Sequence, residues 1–98
     1  MSFKYTITSF RSDKTIPFWQ FPEEIQEHIN TTYKNTGAIE EYLTTISEDK
    51  YVQTINATWT SKADWEPFRD DPVLVPNWRA RAQYNSKHDI LFFWQEQV

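Results

Sequence analysis

Two histidines, His28 and His88, are the only imidazoles in this chain, and there is no cysteine. Imidazole is the commonest general base, and His28 is the one candidate for that role, at the edge of a helical apolar stripe made by Ile25 and Ile29. Its structural alternative is a boundary residue paired with Glu24 one turn earlier. His88 falls between Lys87 and Asp89 in a polar turn and reads as a loop residue. Two isolated histidines with no common element spacing do not make a metal site. The lack of cysteine removes disulfides, thiolate ligands and sulfur nucleophiles together. No cofactor is implied.

The remaining candidates are residues that would hold a ligand rather than react with it. Trp65, Phe68, Trp78 and Tyr84 cluster where prolines force an irregular backbone, and could line an apolar pocket or simply fill a core. Trp19, flanked by Phe18 and Phe21 in a loop, is either a lid over a cleft or a plug in the core. Asn56 in a central strand and the hydroxyl of Tyr5 each need a partner or a ligand if they face inward, because a buried unpaired polar group costs about 1–3 kcal/mol. Arg79 and Arg81 flank Ala80; two apart on a helix they diverge, so they are expected in solvent or paired with Asp70 and Asp71.

The elements that must position these residues follow from periodicity. Phe3, Tyr5 and Ile7 alternate with Lys4, Thr6 and Thr8, the signature of a strand with one buried face. After an aromatic loop from Arg11 to Phe21, Pro22 suits a first helical position and Glu23 and Glu24 suit the positive end of a helix dipole. Ile25, Ile29, Thr32 and Tyr33 recur at helical spacing, which predicts a helix from Pro22 to Asn35 closed by Gly37, the only glycine. Ile39–Ser47 and Tyr51–Thr60 are β-branched runs joined by Glu48-Asp49-Lys50, a hairpin. Ser61 and Asp64 resemble a capping box that starts a second helical region. Pro72 and Pro76 interrupt it, and helix resumes at Pro76 and runs to about Asn85 or Ser86. The last run, Ile90 to Trp94, is apolar on both faces before turning polar at Gln95.

Ninety-eight residues make a single domain, 1–98. Hydrophobic residues are only 39% of the chain while aromatics reach 17%, so the core rests on a few large rings. The net charge of −4, with ten scattered Lys and Arg, argues against nucleic acid as a partner. There is no apolar leader and no run approaching the length of a membrane span, so a soluble, cytoplasmic protein is expected. The sequons Asn30-Thr31-Thr32 and Asn56-Ala57-Thr58 are therefore read as chance matches.

The order β-α-β-β-α-β is that of the ferredoxin-like α+β fold, a four-stranded antiparallel sheet with two helices on one face. The last strand should lie at a sheet edge with both faces apolar, and a second copy of the chain is the simplest cover, which predicts a homodimer. Known uses of this topology are excluded by residue. The third strand, Tyr51 to Trp59, lacks the glycine and basic residues of an RNA-recognition motif. Copper-chaperone or iron–sulfur sites lack cysteine ligands, and a single glycine cannot build an acylphosphatase-like phosphate cradle.

Trp59-Thr60-Ser61 leaving the third strand, then Trp65 and Phe68, the Asp71-Pro72 break and the Trp78–Tyr84 stretch before a strand at Ile90 resemble the dimeric α/β-barrel superfamily. That group includes antibiotic-biosynthesis monooxygenase-like, muconolactone isomerase-like and stress-responsive barrel proteins. The resemblance spans nearly the whole chain and rests on layout and aromatic placement. It implies a homodimeric barrel with a cleft between sheet and helices in each subunit. Some members oxidise phenolic substrates without a cofactor and some degrade haem. The haem-degrading branch pairs a first-strand Asn with a Trp and a helix His, and this chain offers only Ser and Thr in that strand. The expected function is binding of a small, largely apolar or aromatic molecule, with Tyr5, Trp19, His28, Asn56, Trp65, Phe68, Trp78 and Tyr84 at the site. The alternatives are a cofactor-independent monooxygenase or isomerase and a non-catalytic dimeric interaction module.

Overall fold

The structure, a computed structural model, describes residues 2–97. Strand β1 (Phe3–Phe10) is followed by α1 (Glu23–Ile29), whose axis continues through a π-helical segment at Asn30–Lys34. Strands β2 (Ile39–Ile46) and β3 (Val52–Trp59) form a hairpin; α2 (Lys62–Arg69), α3 (Val75–Lys87) and β4 (Leu91–Gln97) complete the chain. The class is α+β. One antiparallel sheet has the order β2-β3-β1-β4, so β2 and β4 are its edges. The described residues hold three helices rather than the expected two, because the second helical region is divided at Asp70–Leu74, where Pro72 cannot donate a backbone hydrogen bond. Helix α3 begins at Val75 with Pro76 in its first turn, a position proline tolerates.

Local signals account for most boundaries. The Ser61 hydroxyl accepts from the Asp64 amide at 3.1 Å, while the Asp64 carboxylate turns to the Thr60 hydroxyl instead of completing a reciprocal box. The hairpin turn is held by Asp49, whose Oδ1 accepts from the Ser47 hydroxyl at 2.6 Å and the Tyr51 amide at 3.1 Å. The expected helix from Pro22 to Asn35 is α-helical only to Ile29; the Asn35 amide then bonds the Asn30 carbonyl at 2.8 Å, a π-type i to i−5 closure. Gly37 follows with φ of 85°, and no atom lies within 4 Å of where a Cβ would stand. Substituting Gly37→Ala should therefore cost about 1 kcal/mol of backbone strain alone, measurable as a small drop in the urea midpoint with an unchanged slope.

The sheet has two distinct faces. Phe3, Tyr5, Ile7 and Ser9 of β1 lie opposite Trp59, Ala57, Ile55 and Gln53 of β3, and these face the helices. Ile29, Tyr33, Phe68 and Leu74 from the helical side close one core with Phe3, Tyr5, Ile39, Ala57 and Trp59. The opposite face carries Lys4, Thr6, Thr8 and Phe10 of β1, and among the described residues no element covers it. Phe10, Leu43, Leu91 and Phe93 are exposed there, with Phe10 and Phe93 in edge contact at 5.9 Å. No helix among the described residues is long and apolar enough to cross a membrane.

Candidate functional site

The helix-facing side of the sheet is filled at one end and hollow at the other. Phe3, Tyr5, Ile39 and Trp59 supply bulk at the first end, but the same face continues through Ser9, Thr44 and Gln53, which are small or polar. A cleft of about 520 Å³ opens over these positions, within the usual range for a small-molecule site. Its roof comes from the 18–21 loop, from Gln26, Ile29 and Asn30, and from Phe68, Arg81 and Asn85. A second hollow of about 250 Å³ adjoins it, walled by Tyr5, Trp65, Trp78 and Trp94. Ile7, Phe21, Tyr42, Phe68 and Arg81 border both.

Aromatic rings run from the core into the walls in a connected chain. Trp59 meets Phe68 at 5.0 Å, Phe68 meets Trp78 at 5.4 Å, Trp78 meets Phe21 at 5.5 Å, and Phe21 meets Trp19 at 4.8 Å. On the other side Trp65 stacks on Trp94 at 5.8 Å and packs against Phe3 at 4.8 Å. Five of the eight expected site residues, Tyr5, Trp19, Trp65, Phe68 and Trp78, thus border one hollow or the other. Trp19 is part of the cleft wall rather than buried in the core, and Phe18 beside it is the plug, buried under the Arg11 guanidinium at 4.2 Å.

The other three stand elsewhere. Asn56 lies on the uncovered face, where its Oδ1 accepts from the Thr6 hydroxyl at 2.8 Å; strand alternation sends it away from Ile55 and Ala57. The Tyr84 hydroxyl donates to the Pro17 carbonyl at 2.5 Å and ties α3 to the loop outside the cleft. His28 borders neither hollow, and it is paired with Asp71 rather than with Glu24. Its Nε2 lies 2.8 Å from Asp71 Oδ2, and the same oxygen accepts from the Tyr33 hydroxyl at 2.6 Å. Asp71 Oδ1 accepts from the Val73 amide at 2.9 Å. Burial alone would raise the Asp71 pKa, but hydrogen bonds from His28, Tyr33 and Val73 outweigh it and hold the carboxyl below its ordinary range. Burial, and donation to Asp71, push the Tyr33 phenol up.

Arg81 is the site residue that spacing did not reveal. Asp70 is taken by Arg69 at 2.8 Å and Asp71 by His28, so neither pairs with Arg81 as expected. Instead the guanidinium sits 4.2 Å above the Phe92 ring and 5.1 Å from that of Trp78, bordering both hollows. Among the described residues it has no carboxylate or hydrogen-bond partner. Burial pulls its pKa down, opposed by the neighbouring Tyr42 and Tyr5 hydroxyls, yet an arginine stays charged at neutral pH. Burial likewise raises Tyr42, and lifts Tyr5 to about 12 despite the hydrogen bond that its oxygen accepts from the Trp59 indole at 3.2 Å. The signal for Arg81 was its place one turn after Trp78 and one turn before Asn85 on a single helix face.

No three His, Asp or Glu side chains are gathered into a metal-binding group among the described residues. No protein-family model matches the chain, and no curated protein matches it in sequence.

Proposed function

We propose that this chain is a ligand-binding protein of ferredoxin-like topology that acts as a homodimeric α/β barrel and takes a small, largely apolar molecule between sheet and helices. The observation that carries the ligand reading is the unfilled, aromatic-walled cleft of about 520 Å³ in a domain of only 98 residues. A half-open hollow of this size lies within the range of small-molecule sites. The strand order β2-β3-β1-β4 supports the topology. The uncovered sheet face, with Phe10, Leu43, Leu91 and Phe93 exposed, supports burial against a second copy.

A monooxygenase or isomerase would need a base at the substrate, and no His, Asp or Glu borders either hollow among the described residues. Binding without proton abstraction by such a group is therefore the preferred reading.

Native mass spectrometry of the protein as purified, beside its denatured mass, tests both halves. Two chains with extra mass that is lost on denaturation are expected. A bare dimer that takes up no compound from a soak with small aromatic molecules would remove the ligand reading. A monomer at micromolar concentration would remove the dimer and the barrel with it. Phe93→Glu places a charge on the uncovered face, where Phe93 is 54% exposed and leaves the core untouched. Light scattering should show this variant shifted from dimer to monomer, with its circular dichroism spectrum unchanged.

A further inference from the structure

The cleft is electrostatically opposite to the chain that contains it. The protein has 14 acidic residues against ten basic ones, yet among the described residues no carboxylate borders either hollow, while Lys34, Arg69 and Arg81 do. Lys34 is exposed, and Arg69 is neutralised by Asp70 and Glu66. Arg81 alone presents an unneutralised charge inside. Around it stand Asn85, one turn further along the same helix face, and Ser9, the strand partner of the Phe92 on which the guanidinium rests. Both residues are more than nine-tenths buried and border the larger hollow. Neither side chain makes a hydrogen bond among the described residues, and since no sealed-off side-chain polar atom there lacks a partner, their polar atoms open onto the hollow. A guanidinium, a carboxamide and a hydroxyl converging on one empty space amount to a set of donors awaiting an acceptor.

Resting on the ligand reading above, we infer that the ligand is a flat, apolar monoanion of the aryl-carboxylate class, its carboxylate held by Arg81, Asn85 and Ser9 and its ring against Trp19, Phe21 and Phe68. A single guanidinium matches one negative charge, and its planar fork suits a carboxylate. The aromatic wall suits a ring rather than a sugar or a peptide. A second negative charge would find only Lys34, an exposed and solvent-screened partner that adds little.

The test is calorimetric titration at pH 7.5 of the intact protein with benzoic, 2-naphthoic and biphenyl-4-carboxylic acids and with their primary amides. At least one acid should bind ten times or more tighter than its amide. Arg81→Met, which keeps the packing against Phe92 and Trp78, should bring that acid down to the affinity of the amide. Equal affinity of acids and amides for the unmodified protein would overturn the anionic ligand and leave the cleft reading standing. Binding of none of the six would overturn both. The acid–amide comparison needs no variant, so it decides the matter even if Arg81→Met fails to fold.

Discussion

Trp59→Ala will lose about 3–5 kcal/mol of folding free energy, the range for removing a fully buried large aromatic. Trp59 is completely buried at the end of β3, and it links three parts of the core. Its ring meets Tyr33 of the π-helical segment at 5.9 Å and Phe68 of α2 at 5.0 Å, and its indole N–H donates to the Tyr5 oxygen on β1 at 3.2 Å. Alanine would leave a cavity bounded by a sheet on one side and two helices on the other, which cannot collapse without moving all three. Small domains have only about 5–15 kcal/mol in hand. At roughly 4–8 °C per kcal/mol for a domain of this length, the melting temperature should fall by tens of degrees. Trp59→Phe keeps a six-membered ring but loses the five-membered part of the indole with its N–H, so it should fall between the two. Urea unfolding followed by circular dichroism separates the three proteins. A loss under about 1 kcal/mol for the alanine variant would be incompatible with this packing.

Asp71→Ala should lose about 2–3 kcal/mol, because hydrogen bonds to a charged group are among the stronger ones and this carboxylate accepts three. Those bonds join α1, the π-helical segment and the α2–α3 junction, and side-chain exposure at Asp71 is only 11%. Its pH dependence follows from the depressed pKa. The folded protein binds this proton less readily than the unfolded chain, so the stabilisation is complete above the unfolded-chain value of about 4 and disappears as pH falls through the folded value. The stability difference between the wild type and Asp71→Asn should accordingly shrink as pH falls below about 4. A difference that did not shrink below about pH 4 would contradict the assigned network.

The same carboxylate explains why His28 was misread. From the sequence its nearest acidic neighbour on a helix face is Glu24, four residues back, whereas its partner lies 43 residues ahead. Helical spacing reports neighbours along one element and is silent about a junction that folds back onto it. Arg81 illustrates the same limit. Its separation from Arg79 ruled out a paired clamp, but only the seating of α3 over β4 decided that this arginine, and not its neighbour, points at the sheet. Asn56, by contrast, was within reach of period-two alternation, since Ile55 and Ala57 on either side of it must share the opposite face.

What the sequence determined by itself is local. The alternation of Phe3, Tyr5 and Ile7, the β-branched hairpin with its Asp49 turn, the Ser61 cap, the left-handed turn at Gly37 and the double apolarity of β4 each follow from interactions within a few residues. The α+β class follows from their order. The tertiary structure alone decided where the aromatic rings stop and the hollow begins. That boundary depends on how strand register sets Ser9 beside Gln53 and Phe92, and on how far the helices stand from those short side chains. It decided the π-helical end of α1 as well, because that depends on packing that rewards one backbone path over another, whereas the split between α2 and α3 was already written in Pro72 and Pro76. An unfilled volume is a property of distances between elements, and no single stretch of chain encodes it.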